Sequence, residues 1–138
     1  MTQRLLTRPA RWAAAPLLAA GLLLAGCGGG SAEVTGVDPA AAAEIVSSGD
    51  ALVLDVRTPA EFAAGHLPGA VNIDVESSDF ADRVSGLDEG EPTLVYCQTG
   101  NRSGVATEKM VDLGFTDLSE LEGGIEAWAA ADGQVVQQ

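Results

Sequence analysis

Apolar residues along this chain fall into short continuous runs that alternate with stretches of helical spacing. Ala51-Leu52-Val53-Leu54 and Thr93-Leu94-Val95-Tyr96 are runs of strand length, and Val71-Asn72-Ile73 and Leu118 to Leu121 are weaker ones. Continuous rather than alternating hydrophobicity marks strands that are covered on both faces. Helix signals lie between them. Asp38-Pro39 supplies an N-cap followed by proline at the first helical position, and Gly49 closes that segment. Thr58-Pro59-Ala60-Glu61 is a capping box that opens a brief helix to Ala64. Phe80 to Leu87, Asn101 to Leu113 with Gly114 after it, and Ile125 to Ala131 complete the helical set. This alternation predicts an α/β fold, a small and mainly parallel sheet with helices on both faces. In such folds the site lies beyond the carboxyl ends of strands. Asp55 and Cys97 both occupy such ends.

The first residues break the pattern. Arg4, Arg8 and Arg11 form a positive stretch without an acid, and an apolar stretch follows from Ala13 to Ala25, interrupted by Pro16 and Gly21. It is too short to span a bilayer comfortably and has the flanks of a secretory signal. It ends in Leu24-Ala25-Gly26-Cys27, which resembles the bacterial lipobox, where the cysteine is lipidated and becomes the mature N-terminus. An ordinary signal peptide and an uncleaved anchor are the alternatives. The expected organisation is a lipoprotein signal peptide over 1–26, a Gly/Ser-rich tether over 27–36 and one domain over 37–138. Trp12 then belongs to the discarded leader. The location implied is extracytoplasmic, with the lipid on Cys27 holding the protein to a bacterial membrane.

That reading changes the charge and the cysteine arithmetic. Residues 27–138 hold all 20 acidic residues and only four basic ones, Arg57, Arg83, Arg102 and Lys109, a formal charge of −16. Such a surface repels nucleic acid and excludes it as a partner. An anionic substrate meets the same field, so any site for one needs local positive potential. With Cys27 acylated, Cys97 is the one free thiol of the mature chain, and a dithiol mechanism within one chain has no second cysteine to use.

Cys97 stands between the run Thr93 to Tyr96 and the helical segment, within Cys97-Gln98-Thr99-Gly100-Asn101-Arg102-Ser103. A loop in that place can fold its backbone N–H groups around the sulfur, and the helix N-terminus adds its dipole. Both favour the thiolate, which is the nucleophile. Gly100 permits a backbone turn that a side chain resists. Arg102 can hold an anionic group. The layout suits a nucleophile, and it suits a buried structural thiol as well.

Three blocks carry a family resemblance. Leu54-Asp55-Val56-Arg57-Thr58-Pro59-Ala60-Glu61-Phe62 with Gly65-His66-Leu67-Pro68-Gly69-Ala70-Val71-Asn72-Ile73 resembles the rhodanese homology domain. Tyr96 to Ser103 resembles its active-site loop, and Leu121-Glu122-Gly123-Gly124-Ile125-Glu126-Ala127-Trp128 its C-terminal signature. The resemblance implies sulfurtransfer without a cofactor or metal. Catalytic Cys97 takes sulfane sulfur from a small sulfur-containing anion such as thiosulfate, or from a persulfide, and passes it to a thiol or cyanide-like acceptor. Gln98, Thr99, Gly100, Asn101, Arg102 and Ser103 are the substrate-binding expectation, with Arg102 and Ser103 on the departing oxyanion. Asp55 and Arg57 are expected to brace the loop as an ion pair. His66, the single histidine, reads as part of a turn and cannot make a typical metal site alone. Gly123 and Gly124 are expected to let backbones approach near the loop, with Trp128 and Met110 in the core. A binding module with an incidental cysteine is the rival reading. Phosphatase or arsenate-reductase chemistry is another, set back by loop size: cysteine phosphatases resemble one another in a Cys-x5-Arg loop, and here only Gln98, Thr99, Gly100 and Asn101 separate Cys97 from Arg102.

Overall fold

Every side chain of Thr93–Tyr96 is buried, so the strand it forms needs cover on both faces. The computed structural model, which describes residues 32–138, provides it. In chain order the elements are β1 (Val34–Val37), α1 (Pro39–Ser48), β2 (Leu52–Asp55), α2 (Pro59–Ala64), β3 (Val71–Asn72), α3 (Phe80–Val84), β4 (Thr93–Tyr96), α4 (Asn101–Asp112), β5 (Leu118–Leu121) and α5 (Gly124–Ala130). The strands form one sheet in the order β1-β5-β4-β2-β3, and every pairing is parallel. This is the predicted α/β architecture.

Strand alternation sorts the core into two layers. Leu54, Val56, Val95 and Leu118 pack against Phe80 and Val84 of α3 and Ala106 and Met110 of α4. Val53, Leu94, Tyr96 and Leu121 pack against Ala42 of α1 and Ile125 and Trp128 of α5. Met110 and Trp128 are thus core residues, as expected. Local signals behave as read. Asp38 Oδ1 accepts from Ala41 N at 2.8 Å, and Gly49 ends α1 in the left-handed region. At α2 both halves of the capping box form, with Thr58 Oγ1 accepting from Glu61 N and Glu61 Oε2 accepting from Thr58 N. α3 stops at Val84 rather than Leu87, and Ser85 to Leu87 continue as turns.

One boundary is corrected. The tether was expected to run through residue 36, but Val34–Val37 is a strand, paired with β5 from Val34 opposite Leu118 to Val37 opposite Leu121. Val34 packs against the α3–α4 layer and Val37 against the α1–α5 layer. Four residues with a central glycine, next to a Gly/Ser run, give no strand signal alone. Their partner strand, more than 80 residues later in the chain, creates the element. The expected signal peptide, Cys27 and the start of the tether lie outside the described residues.

The edge strand generates a test. A chain begun at Asp38 should unfold at lower urea concentration than one begun at Ala32, with a loss on the order of 2–4 kcal/mol from two half-buried valines and the parallel ladder. Equal midpoints would return residues 34–37 to the tether.

Candidate active site

Cys97 follows β4, the middle strand, and so sits at the carboxyl end of the sheet. The chain cannot simply turn there, because the Cys97 and Gln98 carbonyls need donors. α5 supplies them: Ile125 N donates to Cys97 O at 2.9 Å, and Glu126 N to Gln98 O at 3.2 Å. The contact requires Gly124. Its φ is +61°, and a Cβ there would stand 2.5 Å from both carbonyl oxygens. The expected close approach of the Gly123-Gly124 backbone to the loop is therefore present, and it fixes the start of the loop. Gly100, with φ +109°, reverses the chain into α4.

The reversal closes around the sulfur. Gly100 N donates to Cys97 Sγ at 3.1 Å, and Ser103 Oγ lies 3.5 Å from it. The thiol is buried, 1% exposed, and burial alone would push its pKa up. The Ser103 hydroxyl and the N–H groups of Ser103, Gly100 and Thr99 more than offset that, and the thiol is pulled below its ordinary value. The Ser103 hydroxyl has one proton and three acceptors within reach, Cys97 Sγ, Gly100 O at 2.9 Å and Glu120 Oε1 at 2.7 Å, so these compete for it. Glu120 reaches the hydroxyl because β5 pairs with β4 in a register that sets Glu120 opposite Val95, two residues before Cys97.

Behind the loop lies a buried ion pair. Asp55 is fully buried and Arg57 is 3% exposed. Arg57 Nη2 meets Asp55 Oδ2 at 2.6 Å, and Nε lies 3.0 and 3.1 Å from the two carboxylate oxygens. Burial works against the charged guanidinium, but Asp55 outweighs it and raises the Arg57 pKa. The remaining donors reach outward, Nη2 to Gly65 O at 2.7 Å and Nη1 to Gln98 Oε1 at 3.2 Å. The pair thus braces the loop after β4 against the segment after α2. Its hydrogen bonds run to the loop's Gln98 side chain and not to the sulfur.

The other predicted site residues divide. Thr99 and Asn101 are exposed at the loop surface. The Gln98 side chain does not face a substrate space alone; it is tied to Arg57 on one side and donates to Glu126 Oε1 at 3.1 Å on the other. Arg102 differs most from the expectation. Its Nη1 and Nη2 bind Glu61 Oε2 and Oε1 at 2.9 and 2.7 Å, and Glu76 Oε2 lies 3.6 Å from Nη1. The pair holds the Glu61 carboxyl down at about 2, chiefly through the Arg102 hydrogen bonds, and raises the Arg102 pKa. Phe62 and His66 rings stack with centroids 3.8 Å apart, and His66 Nδ1 lies 2.8 Å from Phe62 O. A carbonyl only accepts, so Nδ1 carries the proton, and His66 is a structural residue of the turn.

Beside the loop is a cleft of about 380 Å³ lined by Arg57, Glu61, Gly65, Gln98, Ile125 and Glu126. Three acids of this region, Glu61, Glu120 and Glu126, were not singled out as site residues in the sequence. Glu61 was visible there only as a capping residue. Alternation along β5 offered a signal for Glu120, since it points to the same face as Leu118, toward α4.

Comparison with known proteins gives a consistent picture. The family profile for the rhodanese-like domain matches residues 38–131. A thiosulfate sulfurtransferase GlpE of Pseudomonas putida is 40% identical over 94 residues, 68% of this chain and 84% of that protein. Among solved structures, a rhodanese-related protein from Thermoplasma volcanium superposes with a TM-score of 0.67 at 30% identity, covering 75% of this chain and 99% of the other. A rhodanese-like domain from Anabaena gives a TM-score of 0.69 at 28% identity, covering 77% and 81%.

The lowered thiol has a measurable consequence. A depressed pKa means that the thiolate, and with it alkylation by iodoacetamide, appears as pH rises through a midpoint below that of a free thiol. Ser103→Ala removes one charged hydrogen bond and should raise that midpoint by about one to two pH units. An unmoved midpoint would show that the backbone N–H groups alone set the ionisation.

Proposed function

The chain belongs to the rhodanese-like domain family, and from that premise we propose that it is a sulfurtransferase working through a Cys97 persulfide. Relatives with sulfurtransferase names support a sulfurtransferase role for the family at large. The observation that carries the finer reading is the cradle: a thiol at the end of the middle strand, held below its usual pKa by N–H groups and one hydroxyl that converge on sulfur.

The chemistry follows from that cradle. The Cys97 thiolate attacks the outer, sulfane sulfur of a donor. With thiosulfate, the donor S–S bond breaks, sulfite leaves with the electron pair, and Cys97 retains one additional sulfur. The same N–H groups that face Sγ would stabilise the persulfide anion formed there. A thiol or cyanide then attacks the outer sulfur and returns Cys97 as thiolate. A thiol pKa below its ordinary value lessens the need for a separate general base in the first step. Phosphoryl transfer suits the geometry less. The loop is one residue shorter than Cys-x5-Arg, and Arg102, which would have to reach around three equatorial oxygens, is engaged by Glu61.

We also propose that the domain is displayed outside the cytoplasm on a lipid attached to Cys27. Support comes from Arg4, Arg8 and Arg11, the apolar stretch after them, and Leu24-Ala25-Gly26-Cys27. With the domain beginning by Val34, the lipid and the first strand are separated only by residues 28–33.

Incubation of the protein with a competent sulfane donor should add the mass of one sulfur, which cyanide or a reductant removes. Cys97→Ser should abolish the adduct and all turnover, because a hydroxyl is a far poorer nucleophile here. Sulfurtransfer by that variant would end the persulfide reading. For the anchor, Cys27→Ser should abolish detergent partitioning and leave uncleaved precursor or released protein; wild-type protein with an unmodified N-terminal region would count against lipidation.

A further inference from the structure

The positive charge beside the loop is paired with carboxylates before a substrate arrives. Among the described residues there are four cationic side chains. Arg57 is paired with buried Asp55. Arg83 is fixed to Asn72 O, and Lys109 lies over the Phe80 ring with Nζ 3.5 Å from Val75 O. Arg102, the one cation of the loop, has two hydrogen bonds to Glu61 and a second carboxylate, Glu76, at 3.6 Å. Around the loop stand Glu61, Glu76, Glu120 and Glu126, against which only Arg57 and Arg102 count, and Arg57 is already neutralised by Asp55. The cleft beside the loop carries Glu61 and Glu126 on its wall. The remainder of the domain adds a strongly negative field.

Resting on the sulfurtransfer reading, we propose that this site selects against dianionic donors and favours an organic persulfide whose carrier end is cationic, and that Glu61 sets the preference by holding Arg102. Such a donor, R–S–SH with a positive group on R, brings its charge to the acidic rim while its outer sulfur enters the N–H cradle. The step balances: the Cys97 thiolate bonds the outer sulfur, the donor S–S bond breaks, the outer sulfur keeps its proton, and R–S⁻ leaves. Thiosulfate brings two negative charges toward the same rim and finds its natural partner, the Arg102 guanidinium, already occupied. Glu61 is suited to this control although Oε2 serves both the Thr58 cap and Arg102 Nη1, because the cap needs an acceptor and not a charge. As the third residue of α2 it caps Thr58, which glutamine does equally well; only the carboxylate charge neutralises Arg102.

The test is the rate at which Cys97 in the full chain gains one sulfur mass, read by quenched intact-mass measurement. Thiosulfate and cysteamine hydropersulfide are compared as donors from about 0.01 M to about 0.15 M salt, over which the Debye length falls from about 30 to about 8 Å. The proposal expects loading from thiosulfate to rise severalfold with salt, as repulsion is screened, and loading from the cationic donor to fall. It expects Glu61→Gln, with the fold checked by its melting curve, to accelerate thiosulfate loading on the order of tenfold, the worth of one charged hydrogen bond, without accelerating cysteamine hydropersulfide. Thiosulfate loading that stays flat or slows with salt in the wild-type protein would overturn the charge preference, whether or not the variant folds. A folded Glu61→Gln protein with unchanged thiosulfate loading would overturn the role of Glu61. Absence of a sulfur adduct from both donors would instead overturn the sulfurtransfer reading beneath it.

Discussion

A single buried ion pair holds the active end of this domain in shape. Asp55 ends β2 and Arg57 lies two residues on, so the guanidinium folds back on the carboxylate within its own turn while its outer nitrogens reach Gly65 O and the Gln98 side chain. Asn72 closes the other side by donating to Asp55 O and Arg57 O. Two charges with almost no access to water are stable only as a pair, and removal of one partner from such a site typically costs about 3–5 kcal/mol. That penalty makes the geometry a constraint rather than a preference. The pair thus ties the segment after α2, β3 and the loop after β4 to one another.

The loop itself is held from the opposite side by backbone. α5 gives its first N–H groups to the carbonyls of Cys97 and Gln98, so the donors that usually greet an anion at a helix start are used here for positioning. The donors that face the sulfur come from the loop and from the start of α4. This division explains why a thiol with 1% exposure ionises more easily than a free one. Burial raises the cost of the charge, but it also removes competing water from hydrogen bonds that are already aimed, and the balance lowers the thiol pKa.

The domain combines a local anion cradle with a globally anionic surface. The two do not conflict, because they act at different ranges. N–H dipoles and one hydroxyl govern the sulfur within hydrogen-bond distance, whereas net charge governs what approaches over a Debye length. This domain combines N–H donors aimed at one sulfur with a field that repels free anions. The Glu61–Arg102 pair sits at the junction of the two ranges, beside the loop and within the acidic surface.

Most of the architecture was legible in the chain. Continuous apolar runs at 51–54 and 93–96, proline-headed helices at Pro39 and Pro59, and the capping box of Thr58 and Glu61 are local facts, and each element they predicted is present. Cys97 was placed at a strand end by the same local logic, and Gly124 was marked for close approach by its place in a motif. Residues 34–37 were not legible, because a four-residue edge strand exists only through a partner far along the chain. The partners of Arg102 were hidden for the same reason. A sequence shows that an arginine is present, but Glu61 lies 41 residues away, and only the packing of α2 against the loop turns an anion-binding residue into an occupied one. What the chain determines by itself is where backbone dihedrals, caps and apolar faces fall, since these are decided among neighbours. What the tertiary structure decides is which charges meet, because that depends on register and on the distance between side chains from separate elements.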